Sequence, residues 1–185
     1  MLSCKSCRVL FIAMGILAFS KPLFAETQPG AVDLWKNAGF EVPLEPGPAP
    51  ELNLRDFEGS LVDSSSAGRI VILHFWATFC SPCRAEMKEL NELQKQFDRT
   101  QILVIAVSID SHDGAVEAFL AREEIHETLI VRDRSSDLRE SYAVDAIPMS
   151  YIIIDGKIRS RVKGPGNWKS EFWRTMLRIE SAKAN

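Results

Sequence analysis

The apolar run Ile102–Ile109 limits the fold more than any other feature of this chain. A strand with apolar side chains on both faces must be covered on both, which is the situation of a strand inside a parallel sheet. Ile70–Trp76 is a second run of that kind. Between them Met87, Leu90, Leu93, Gln94 and Phe97 recur at three- and four-residue steps, so a helix is predicted from about Ser81 to Phe97. Further on the pattern gives a helix at Asp113–Glu123, a short strand at Leu129–Val131, and a short helix at Ser136–Tyr142 opened by a serine cap. Tyr151–Ile154, the turn Asp155-Gly156 and Lys157–Val162 form a hairpin. After Gly164-Pro165-Gly166, a closing helix carries Phe172, Trp173, Met176 and Leu177 on one face. From Leu52 the pattern is strand, turn at Glu58-Gly59, strand. The expectation is an α/β domain with a central mixed sheet flanked by helices.

Residues 1–25 carry an export pattern. Lys5 and Arg8 give a positive start, Val9–Phe19 an apolar stretch, and Leu23-Phe24-Ala25 ends on a small residue. The stretch falls short of the ~20 residues of a membrane span. Leu23 departs from the small-residue preference before a cleavage site, so an uncleaved N-terminal membrane anchor is the alternative. Either way the remaining chain is expected outside the cytosol, in the periplasm. Without residues 1–25 the formal charge moves from −3 to −6, because Lys5, Arg8 and Lys21 are lost and no acidic residue is. Nucleic acid is therefore not an expected partner. Residues 26–50 hold Pro29, Pro43, Pro46, Pro48 and Pro50 and read as an extended lead-in, broken by a helical patch around Leu34, Trp35 and Phe40 that packs back on the domain. Residues 51–185 then make one domain.

The first apolar run leads into Cys80-Ser81-Pro82-Cys83. With a helix starting near Ser81, Cys80 meets free backbone N–H groups and the positive end of the helix dipole, which favour a thiolate. Pro82 falls in the first turn, where its missing donor costs nothing. Cys80 is the expected attacking sulfur. Residues three apart on a helix are neighbours within disulfide reach, so Cys83 is the expected resolving thiol. A zinc half-site would need further ligands, and Cys4, Cys7, His74, His112 and His126 form no second close pair downstream. A purely structural staple would close a loop too small to constrain the unfolded chain much.

Phe75-Trp76-Ala77-Thr78-Phe79-Cys80-Ser81-Pro82-Cys83-Arg84 resembles the active-site motif of the exported TlpA/ResA-like, DsbE-type thiol–disulfide oxidoreductases of the thioredoxin fold. Phe79 stands where an aromatic, often tryptophan, is usual. Tyr142–Ile158, with Ile147-Pro148 inside it, resembles the family's second landmark. The resemblance implies a thioredoxin-like fold with an N-terminal β-hairpin and a strand–helix insertion between Ile102 and Ile147. It implies a redox-active Cys80–Cys83 disulfide supported by Trp76, Phe79, Ser81 and Pro82, with a cis Ile147–Pro148 bond facing the cysteines. Independently, a proline opening a strand-like run cannot donate to a ladder, and a cis bond would leave the Ile147 carbonyl and N–H for a substrate chain. An ordinary trans turn proline is the alternative. No cofactor and no metal are expected.

His74 lies six residues before Cys80, where thioredoxin carries a buried carboxylate and close relatives often carry asparagine. It could help deprotonate Cys83, or be a neutral buried histidine hydrogen-bonded to backbone. His112 and His126 read as surface residues. Asp110, or Ser111 if the register differs, matches a buried acid that some relatives place near the site, a candidate for proton handling. Glu86 reads as serving the helix dipole and solvent. Ser81-Pro82 brings no histidine to acidify Cys80, which favours a reductase over an oxidase or isomerase of the same fold. The resemblance then implies protein disulfides as clients, for example in apocytochrome c or copper-delivery proteins, and a membrane electron donor of the DsbD/CcdA kind. A thiol peroxidase and a Cu(I) metallochaperone are the readings from other classes.

Overall fold

The computed structural model describes residues 31–42, 46–52, 54–57, 59–62 and 70–183, so the export pattern of residues 1–25 lies outside the described residues. In chain order the elements are α1 Ala31–Asn37, β1 Ile70–Trp76, α2 Ser81–Gln96, β2 Ile102–Ser108, α3 Asp113–Arg122, β3 Leu129–Arg132, α4 Asp137–Ser141, β4 Met149–Ile154, β5 Lys157–Lys163 and α5 Ser170–Lys183. The sheet runs β3-β2-β1-β4-β5. β1, β2 and β3 are parallel, whereas β4 is antiparallel to β1 and β5 is antiparallel to β4. The mixed sheet is the one the pattern predicts. Both apolar runs occupy its interior, and every residue of β1 and β2 is buried.

Alternation along β1 sends side chains to two covers. Ile70 and Ile72 pack with Leu90, Leu93 and Phe97 at the end of α2, with Trp173 and Met176 of α5, and with Trp35 and Phe40 at α1. Val71, Leu73 and Phe75 face the opposite layer with Leu54, Tyr142, Val144 and Tyr151. The lead-in packs back as its pattern anticipates: Trp35 and Phe40 are both 2% exposed, and the Trp35 ring meets Phe172 and Trp173 edge-on. Its extended part crosses the outer edge of β5, pairing Glu41 with Arg161 and Pro48 with Lys157.

Three local expectations change. The strand–turn–strand after Leu52 reduces, among the described residues, to a single bridge between Arg55 and Leu61, with Gly59 N donating to Asp56 O. Leu54 is buried there and Val62 packs against the same layer, its N–H donating to Leu54 O at 3.0 Å, whereas Leu61 between the bonded positions is 74% exposed. The short helix α4 is capped not by Ser136, which sits in the left-handed region without a capping bond, but by Asp133. The Asp133 carboxylate accepts from Leu138 N and Arg139 N, satisfying free donors of the first turn. Glu86 is the third, and it belongs to the site.

Candidate functional site

β1 ends at Trp76 and the chain turns through Ala77–Phe79, with Cys80 N donating to Ala77 O at 3.1 Å. Cys80 then takes extended backbone angles as the N-cap of α2, and its Sγ accepts from Cys83 N at 3.3 Å. Ser81 and Pro82 form the exposed first turn of the helix. Cys80 and Cys83 are joined by a disulfide with Cα atoms 5.2 Å apart. The two sulfurs are unequally placed: Cys80 is half-buried, whereas Cys83 is 0% exposed. Cys83 lies in an apolar cluster with Trp76, Met87, Ala106, Val116 and Phe119, against which Phe57, Cys80 and Ile147 pack. Phe79 is 73% exposed.

The Ile147–Pro148 bond is cis, and Ile147 shares the apolar cluster of the two cysteines. Trp76 is fully buried with its ring 5.2 Å from Phe119. The inserted helix α3 supplies Val116 and Phe119 to this cover, so the insertion helps wall in Cys83.

His74, on the same face of β1 as Trp76, is fully buried. Its Nδ1 lies 2.8 Å from Ser150 Oγ on β4, and its ring meets Trp168 edge-on at 6.2 Å. Burial pushes the imidazole down to about 3, so His74 is neutral at ordinary pH. Its partner is a serine side chain rather than the backbone. Asp110 follows β2 and reaches across to the turn before Cys80, where its carboxylate accepts from Thr78 N at 2.9 Å and Thr78 Oγ1 at 2.6 Å. Ser111 is exposed and bonds His112 instead. His112 and His126 are at the surface, as the pattern suggests.

Glu86 does not face solvent. It is 4% exposed, one turn beyond Cys83 on the same side of α2. Its Oε1 accepts from Gly166 N at 2.8 Å and from Trp168 Nε1 at 2.6 Å, while Oε2 is buried without a hydrogen-bond partner. Burial raises its carboxyl above the ordinary range, against the opposing pull of those two donors. A Cβ at residue 166 would come within 2.6 Å of the Trp168 ring, so glycine lets the backbone lie against that indole. Spacing puts Glu86 beside Cys83, but only the loop eighty residues later shows that this face is covered. Among the described residues no group of three or more His, Cys, Asp or Glu side chains is gathered as a metal site.

The AhpC/TSA family profile matches residues 47–161, more than half of the chain and both landmarks of the site. The chain belongs to the AhpC/TSA family. Among curated relatives, thiol-disulfide oxidoreductase ResA of Bacillus thuringiensis is 31% identical over 118 residues, covering 63% of this chain and 68% of that protein. ResA of Bacillus subtilis is 29% identical over 162 residues, covering 86% and 88%. A solved structure of a putative thiol:disulfide interchange protein DsbE from Chlorobium tepidum is similar with a TM-score of 0.59 and 25% identity, covering 77% of this chain and 100% of that one. StoA of Bacillus subtilis shares the fold with a TM-score of 0.58 at 23% identity over 71% of this chain and 99% of that one. The chain is thus a thioredoxin-fold enzyme, a thiol–disulfide oxidoreductase of the ResA/DsbE type.

Proposed function

We propose that the chain reduces disulfides of exported client proteins through Cys80 and Cys83. The roles rest on the unequal access to the pair, with Cys80 half-buried at the head of α2 and Cys83 sealed behind it, and the reducing direction rests on Ser81-Pro82, which brings no histidine to acidify Cys80. In the reduced enzyme the Cys80 thiolate attacks one client sulfur, forms a mixed disulfide, and expels the other sulfur as a thiolate that takes up a proton. Cys83 then gives up its proton and attacks Cys80 Sγ. The Cys80–Cys83 disulfide forms, and the client leaves as a dithiol holding two electrons. Glu86, one turn beyond Cys83 and with one buried oxygen that has no hydrogen-bond partner, is suited to take that proton. His74, held neutral and reluctant to charge, is a poor acceptor for it.

Phe79, Ser81 and Pro82 offer the client an exposed rim, and Ile147 a backbone edge beside it. The reductant supplying two electrons would be a membrane electron-transfer protein of the DsbD/CcdA kind. Clients would be disulfides of apocytochrome c or copper-delivery proteins in the periplasm. Export rests on the pattern of residues 1–25, as cleaved signal or as anchor, and residues 51–185 carry the redox domain. Among the described residues no helix is long and apolar enough to cross a membrane.

Equilibration of the purified protein with glutathione buffers tests the direction of electron flow. A couple more reducing than about −180 mV supports the reductase, and one near about −120 mV makes the chain an oxidant of exported proteins instead.

A further inference from the structure

The turn between β1 and α2 is held by its polar groups. Asp110 Oδ2 accepts from Thr78 N at 2.9 Å and from Ser108 Oγ at 2.9 Å, and Oδ1 accepts from Thr78 Oγ1 at 2.6 Å. From the other side Arg84, in the first turn of α2, donates Nη1 to Thr78 O at 2.9 Å. Every hydrogen-bonding group of Thr78 is therefore engaged, by one partner just past β2 and one in α2. The next residue, Phe79, stands in solvent and anchors nothing by burial. The one after it is Cys80, whose backbone must take N-cap angles for its sulfur to meet the free N–H groups of α2.

We infer that Asp110 is a positioning residue for Cys80, acting with Arg84 as a clamp on Thr78 that keeps the Cys80 sulfur at the head of α2. Ala77 is the one buried apolar side chain of the turn, so the conformation of Thr78 and Phe79 is fixed by hydrogen bonds, and these reach the residue two before the reacting sulfur. Loosening them frees Cys80 to leave the N-cap geometry, and the thiolate loses the helix N–H groups that favour it. Removing the Asp110 charge alone acts with the opposite sign, because a nearby anion disfavours a thiolate. The two roles can thus be told apart. Other charged groups around the turn are Arg84 itself, Arg132, whose guanidinium lies 4.0 Å over the Phe57 ring in the cluster that Cys80 joins, and Asp113, which is ion-paired with Arg132. Glu86 lies deeper, bonded to Trp168. All of them remain in the variants below.

The inference rests on Cys80 being the attacking thiol, and one experiment separates the two. The reduced protein is alkylated with iodoacetamide across a range of pH, and mass spectrometry locates the label. For Asp110→Ala the pH midpoint of Cys80 labelling rises, and labelling below the midpoint slows at least about threefold, the factor given by half a pKa unit. Thr78→Val, which removes one hydroxyl and leaves the carboxylate, moves the midpoint the same way by less. Asp110→Asn keeps an acceptor oxygen without the charge, and recovers most of the difference from wild type. Midpoints that fall alike in Asp110→Ala and Asp110→Asn would show a charge effect and overturn the clamp. Should Asp110→Ala fail to fold, an unmoved midpoint in Thr78→Val overturns it equally. Label found on Cys83 in the wild type overturns the attack assignment on which the clamp rests.

Discussion

Trp168 donates its indole N–H to Glu86 at 2.6 Å, joining residues separated by 82 positions one turn behind Cys83. The same carboxylate oxygen takes Gly166 N, and Gly164 N of that loop donates to Pro148 O at 2.8 Å. The loop between β5 and α5 therefore ties α2 to the start of β4. Both halves of the site are referred to one short segment.

Glu86→Ala strands the Trp168 and Gly166 donors and is expected to destabilise the fold by about 2 kcal/mol, the cost of leaving buried donors unsatisfied. Glu86→Gln keeps an oxygen for them. Burial raises the folded-state carboxyl, so the stability it contributes is present in acid and is lost as pH rises through the raised value. Urea unfolding should accordingly show Glu86→Gln gaining on the wild type as pH rises above the ordinary carboxylate range. A constant difference would mean that the carboxyl is not perturbed.

His74 contributes with the opposite sign. The folded imidazole is held near 3 and the unfolded one titrates at its ordinary 6.5, so stability present above 6.5 is lost as pH falls towards 3. The limiting slope is about 1.4 kcal/mol per pH unit for one proton. His74→Asn should flatten that part of the stability profile, measured by chemical denaturation at closely spaced pH values.

Cys80→Ser should abolish exchange with protein disulfides, whereas Cys83→Ser should accumulate mixed disulfides that resolve only when a small thiol is added. Non-reducing gels and mass spectrometry of the two variants read this directly. Complexes trapped in Cys80→Ser would reverse the roles.

Asp133→Ala removes the acceptor for Leu138 N and Arg139 N and should cost about 1 kcal/mol, the usual worth of an N-cap. Ser136→Gly should instead stabilise by roughly 0.5 kcal/mol, because residue 136 has φ 66 and glycine adopts that region freely. Thermal melting of the two variants tests the pair of signs.

Periodicity carried the sheet and its helices. Ser81–Gln96 begins where Cys80-Ser81-Pro82 said it would, and the Asp155-Gly156 turn links β4 to β5 with positive φ at both residues. Short-range chemistry of this kind is local and therefore readable. Glu86 was not, because a carboxylate on a helix reads as solvated until a distant loop is known to cover it. Ser136 and Asp133 were exchanged for a related reason: several polar residues precede α4, and the choice of cap depends on how the chain leaves β3. Asp110 was placed near the active site by resemblance. Its bond to Thr78 needs the end of β2 and the end of β1 side by side, which their parallel register supplies by pairing Trp76 with Ser108.

The pairing of residues 41 and 47–49 along β5 has a consequence for anyone shortening this chain. Glu41 and Arg161 exchange both backbone hydrogen bonds, Ile158 N donates to Gly47 O, and Ala49 N to Gly156 O. A fragment starting at residue 51 would retain both cysteines, Pro148 and the whole sheet, yet would bare the outer rim of β5 as an unpaired template. Chains so trimmed would tend to stack rim to rim. The proline-rich stretch is thus also the part of the molecule that keeps one copy from adhering to the next.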